Sequence, residues 1–156
     1  MTYPPLVHYS DEKDYRAHYE RVYCMCPICT FDGIRVRFRK EKFGHCFFKS
    51  MHRNGIKDSF STSRAERIDW IKATLQDSNA ELFEGWDKER KRYDATRRVA
   101  LVMGNYVVII RFTGSSSAEF VTAYLVDTDE NLKKIKSSPR YSHKQKTADS
   151  PGGLSG

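Results

Sequence analysis

The stretch Val99-Ala100-Leu101-Val102-Met103-Gly104-Asn105-Tyr106-Val107-Val108-Ile109-Ile110-Arg111-Phe112 decides the fold. Gly104-Asn105 is a pair suited to a tight hairpin turn, and it separates two short apolar runs rich in β-branched residues. Both runs are nearly continuously apolar, which places them as strands at the centre of a sheet. Downstream, Gly114-Ser115-Ser116-Ser117 turns the chain into a third strand over 119–126. A helical turn is expected around 129–136. From Ser137 onward the composition is Ser-, Pro-, Gly- and Lys-rich, and residues 137–156 read as a disordered basic tail behind a single domain over 1–136.

Upstream of the hairpin, Ser63-Arg64-Ala65-Glu66 matches a capping box, opening a helix over 64–76 whose buried face carries Ile68, Ile71 and Leu75, broadened by Trp70. A shorter irregular helix is expected over 80–92. Ile34-Arg35-Val36-Arg37-Phe38-Arg39 alternates strictly, so three apolar side chains face one way and three arginines the other, as on a half-buried strand. Residues 44–48 read as its partner strand, and Asn54-Gly55 as a further turn. At the start, Ser10 can cap a helix over 11–22 with Tyr15, Tyr19 and Val22 buried. The predicted class is α+β, with N-terminal helices on a mainly antiparallel sheet of four to five strands.

The 156-residue chain carries 27 Lys and Arg against 20 Asp and Glu, a net charge of +7. Residues 34–57 hold eight basic residues against Glu41 alone, so this segment equals the whole chain's excess. Clustered positive charge on a folded domain favours a polyanion, because Lys and Arg displace counterions condensed on phosphates. Arg35, Arg37, Arg39, Lys40 and Lys42 are the candidate nucleic-acid contacts. No apolar run approaches the roughly 20 residues of a membrane span, and the polar start lacks a signal-peptide core. No membrane association is expected.

Three of the four cysteines lie in Cys24-Met25-Cys26-Pro27-Ile28-Cys29, with Cys46 apart. Without a secretion signal, they imply free thiols in a reducing, cytoplasmic compartment. Cys26 and Cys29 have the spacing of a zinc knuckle. A structural zinc takes four ligands, however, so Cys24, Cys46, His8 or His18 would have to complete the site through the fold. Buried free cysteines explain the same residues more simply.

Three segments stand in order: Phe43-Gly44-His45-Cys46-Phe47, then the run from Ser63 to Ile71, then Tyr106-Val107-Val108-Ile109-Ile110 leading to Phe120-Val121-Thr122-Ala123-Tyr124. Together they resemble the barnase–EndoU–colicin–RelE-like nuclease superfamily, in its small phage and mobile-element form. The resemblance implies a toxin-like endoribonuclease that needs no cofactor for catalysis. Its RNA would be a tRNA or mRNA, and an inhibitor or antitoxin protein could restrain it. It also implies site residues: His45 as acid or base, Arg64 or Arg67 on the phosphate, and Thr122 with Tyr124 as hydroxyl groups. The 2′-OH of RNA is its own nucleophile, so a histidine near its ordinary pKa and an arginine fork suffice. Plainer readings stand beside each residue. His45 lies between two phenylalanines, Arg64 and Arg67 neighbour Glu66 and Asp69, and Thr122 and Tyr124 are good strand formers. The alternatives to cleavage are a nucleic-acid-binding adaptor of the same fold and a zinc-stapled interaction module.

Overall fold

The computed structural model describes residues 3–49, 59–87 and 92–141. It is α+β: helices pack on a six-stranded sheet of order β1-β2-β8-β7-β6-β5, and a two-stranded piece, β3-β4, stands beside it. The hairpin read from the sequence is at its centre, formed by β6 (Arg92–Met103) and β7 (Tyr106–Phe112). Gly104 takes φ +59° in the turn, a conformation that favours glycine. Strand β8 (Ser117–Leu125) continues antiparallel to β7, with one extra residue, Val121, where the register shifts.

The alternation over 34–39 holds: Ile34, Val36 and Phe38 are buried while Arg35, Arg37 and Arg39 are exposed. Only β2 (Arg35–Arg37) is ladder-paired, antiparallel to β1 (Ile28–Cys29) and parallel to β8. The segment over 44–48 is not its partner strand. Lys42–Phe47 forms helix α2, because Phe43, Cys46 and Phe47 lie at i, i+3 and i+4 and together enter the core. The strand that follows, β3 (Phe48–Lys49), pairs instead with β4 (Ser59–Phe60). The Asn54-Gly55 turn lies outside the described residues.

The first helix, α1 (Glu12–Tyr19), is capped by Asp11 rather than Ser10, and Glu20–Cys24 widens into a π-helical turn. That widening brings Tyr23, not Val22, into line with Tyr15 and Tyr19 in the core. The helix expected over 64–76 is two pieces, α3 (Thr62–Ala65) and α4 (Ile68–Gln76), hinged at Glu66-Arg67. Its cap is Ser61, whose hydroxyl accepts from the Arg64 amide at 3.3 Å, so the capping box at Ser63 is not used. Residues 81–87 form the edge strand β5 (Glu81–Asp87) and not a helix. Leu82 and Phe83 alternate there, one toward each apolar cluster.

The sheet is apolar on both faces. Tyr15, Tyr19, Phe47, Ile68, Ile71 and Leu75 cover one face through Leu101, Val108 and Phe120. On the other, Phe83, Val102 and Val107 lie under Leu132 and Ile135 of α5 (Asp129–Lys136). The first residues of the expected tail belong to the fold. The Tyr141 amide donates to Leu82 O at 2.9 Å, the Glu84 amide donates to Pro139 O at 2.8 Å, and Tyr141 is buried. Residues 142–156 lie outside the described residues. Among the described residues no helix is long and apolar enough to cross a membrane.

Candidate functional site

Cross-strand register builds a row of charge on the sheet face that α5 covers only in part. Arg98 of β6 stands opposite Arg111 of β7, Arg111 opposite Glu119 of β8, and Glu119 opposite Arg37 of β2. Residues paired across strands share a face, so four strands present Arg-Arg-Glu-Arg in one line about 14 Å long, at roughly 4.8 Å per strand. Arg35 lies two residues from Arg37 on the same face.

Glu119 is held between two arginines. Arg39 donates from Nε and Nη2 to Oε2 at 3.0 and 2.8 Å, and Arg111 donates from Nη2 to Oε1 at 3.0 Å. The hydrogen bond from Arg39, and then that from Arg111, holds the Glu119 carboxyl below the usual carboxylate range against the opposing effect of burial. No described carboxylate forms an ion pair with Arg35, Arg37 or Arg98, while Lys40 is exposed and Lys42 half-buried at the start of α2. Arg98 and Arg111 were not among the expected contacts. Arg98 ends a basic run that begins at Lys88 and Arg111 is a lone arginine among apolar strand residues, and only the register shows that they meet.

A second cluster lies at the other end of β8, on the helical side. Lys49, Arg64, Arg67, Tyr106, Tyr124 and Asp127 line a cleft of about 300 Å³, with Ser61 and Ser63 at its rim. The short helix α3 positions Arg64, whose Nη1 donates to Cys46 O at 3.4 Å. Arg67, in the hinge before α4, donates from Nη1 to Ser63 O at 2.5 Å and lies 3.3 Å from Glu66 Oε1, with its guanidinium 5.1 Å from the Trp70 ring centroid. Its Nε is buried without a hydrogen-bond partner. Burial pushes the Tyr106 and Tyr124 hydroxyls up from their ordinary pKa, opposed by Arg67 and Arg64 respectively, so both are donors near neutral pH.

Of the residues expected to surround one phosphate, this cleft brings together Arg64, Arg67 and Tyr124. It does not include His45 or Thr122. His45 is on the exposed side of α2, because Phe43 and Phe47 enter the core one helical turn apart. Thr122 stands opposite Ile109 on the face that carries the arginine row, two residues short of the cleft; Tyr124, opposite Val107, shares that face and does line the cleft.

The cysteines are dispersed. Cys26 and Cys29 are exposed; Cys46 is buried with Sγ donating to Ala123 O at 3.4 Å. Burial, with Glu20 nearby, raises the half-buried Cys24 thiol. The two histidines expected as further ligands are engaged elsewhere. His8 lies 3.6 Å from Glu66, and His18 bridges Asp69 at 2.7 Å and the Tyr9 hydroxyl at 2.9 Å. Among the described residues no group of three or more His, Cys, Asp and Glu is placed to hold a metal, so the four ligands of a structural zinc are not assembled around Cys26 and Cys29 there. No protein-family model, curated protein or solved structure matches the chain.

Proposed function

We propose that this protein binds a nucleic acid, with RNA as its polyanion, through the arginine-bearing face of the sheet. The row from Arg98 to Arg37 carries this reading. Three guanidiniums and one carboxylate are aligned across four strands, with Arg35 and Arg39 extending the positive charge along β2 and just beyond it. Rigid strands hold these side chains at spacings of about 5 to 7 Å, so their charge is focused on a line that a phosphate backbone can follow. Arginine suits this role, because its planar fork takes two phosphate oxygens at once. The choice of RNA rests on the resemblance to the nuclease superfamily and not on the row itself. Titrating a fluorescent single-stranded RNA at salt concentrations from 50 to 300 mM tests the reading. Binding should weaken linearly on a log–log scale, whereas no binding at 50 mM salt would remove it.

Metal-independent cleavage is a second reading, favoured by the meeting of Arg64, Arg67 and Tyr124 in one cleft. The arginines would hold the crowded phosphate and the protonated phenol would donate to it. A proton acceptor must still come within hydrogen-bond reach, and His45 is not among the residues lining the cleft. Incubation with total RNA in EDTA decides between the readings. New ends that disappear in Arg64→Gln establish cleavage at the cleft; intact RNA with retained binding leaves the adaptor reading.

A further inference from the structure

We infer that the cleft beside β8 is a binding site for a phosphate monoester, of the kind borne by a mononucleotide or by the 5′ end of a nucleic-acid strand. The argument is independent of the arginine row, which crosses β8 at Glu119, toward the opposite end of that strand. Lys49 and Arg64 supply two positive charges that no described carboxylate pairs, while Arg67 is held by Glu66 and Asp127 adds one negative charge. Two unpaired cations suit a phosphate monoester, whose charge at pH 7 is about −1.5 to −2. Asp127 is itself engaged, accepting from Asn131 Nδ2 at 3.2 Å on the side of α5.

The uncharged groups point to the same chemistry. Tyr106 and Tyr124 keep their protons and so act as donors toward an anion. Arg67 carries a buried Nε with no partner, a donor whose desolvation is not offset within the protein. Lys49 makes no ion pair with a described carboxylate, and Arg64 spends one nitrogen on a long contact to Cys46 O. At about 300 Å³ the cleft is at the small end of ligand sites, enough for a phosphate and part of its sugar. A dianion there would accept from the nitrogens of Lys49 and Arg64 that the protein leaves unused.

Binding of two RNA decamers, identical except for a 5′-phosphate or a 5′-hydroxyl, tests this site, with adenosine 5′-monophosphate and adenosine as the small-molecule arm. The phosphorylated decamer should bind about tenfold tighter, the effect of one charge-assisted hydrogen bond, and the monophosphate should compete where adenosine does not. The preference should shrink as pH falls through about 6, where the dianion takes up a proton and becomes a monoanion. Lys49→Gln, on an exposed position, and Arg64→Gln should abolish it, with thermal melts confirming that each variant is folded. Arg35→Gln/Arg37→Gln should weaken both decamers equally and keep the preference. Monophosphate binding without decamer binding would overturn the sheet-face reading and leave the cleft standing. A preference for the free monophosphate alone would assign the site to nucleotides rather than strand ends. Equal affinity for both decamers and no competition by the monophosphate, or a preference that survives Lys49→Gln and Arg64→Gln, would overturn the inference.

Discussion

Glu119→Gln should weaken the fold and tighten polyanion binding at once. The carboxylate accepts from Arg39 through two nitrogens and from Arg111 through one, all within 3.0 Å. Both arginines are close to half exposed, at 49% and 43% of their side-chain surface. The Arg111 pair is therefore worth about 0.5–1 kcal/mol, well short of a buried pair. Losing it lowers Tm by roughly 1–4 °C for a chain of this length, and the lost Arg39 contact acts in the same direction. The sheet face meanwhile gains one unit of positive charge and two released guanidiniums. One added phosphate contact steepens the salt dependence for a single strand by about 0.7, or roughly 2.6-fold in affinity across a fourfold change in salt.

Acid titration gives the same substitution a second readout. A carboxyl whose pKa is lowered in the folded state adds stability that is fully present above its unfolded value, about 4.3, and is lost as pH falls through the lower folded value. Wild-type protein should thus lose stability more steeply than the Gln variant below that pH. Calorimetry follows the first effect and fluorescence anisotropy the second. A variant that loses stability without gaining affinity would refute the placement of Arg39 and Arg111 against a bound polyanion.

Two further predictions concern the scaffold. Tyr23→Phe should cost about 1–3 kcal/mol in urea denaturation, because the buried hydroxyl donates to Ile68 O at 2.6 Å and accepts from the Lys72 amide at 3.0 Å. An unchanged midpoint would mean that those two backbone groups pair without it. A chain ending at Ser137 should melt at lower temperature, since it loses the buried Tyr141 ring, 5.6 Å from Phe112, and its backbone bond to Leu82. An identical melting curve would show that residues 138–141 add nothing to the sheet edge.

The central hairpin was legible because burial on both faces leaves a continuous apolar run, and Gly104-Asn105 marks the turn. The two-faced stretch over 34–39 was legible for the complementary reason, since period-two alternation survives even where only three residues are ladder-paired. Helix α2 was not, because Phe43 and Phe47 satisfy both a period of two and the i, i+4 spacing of a helix. Cys46 breaks the tie, as a third buried residue that only the helix places on the same face. Strand β5 is short and charged at both ends, and Gly85 interrupts its pattern where the register with β6 shifts. Of the site, the β2 arginines stand in one local pattern. Arg98 and Arg111 do not, because their alignment with Glu119 and Arg37 depends on strand register, which no local window contains. Lys49 and Tyr106 reach the cleft from elements far apart in sequence, so only the fold joins them to Arg64 and Arg67.

The salt dependence of RNA binding by Arg35→Gln/Arg37→Gln/Arg98→Gln, set against wild type, tests the central claim most directly. These three positions belong to the arginine face and form no ion pair with a described carboxylate, so their loss removes charge from the surface and leaves the Glu119 clamp intact. The slope of log affinity against log salt should become shallower by about 2 for a single strand, at roughly 0.7 per lost phosphate contact. A slope equal to that of wild type, in a variant with an unchanged melting temperature, would contradict the placement of the nucleic acid on this face of the sheet.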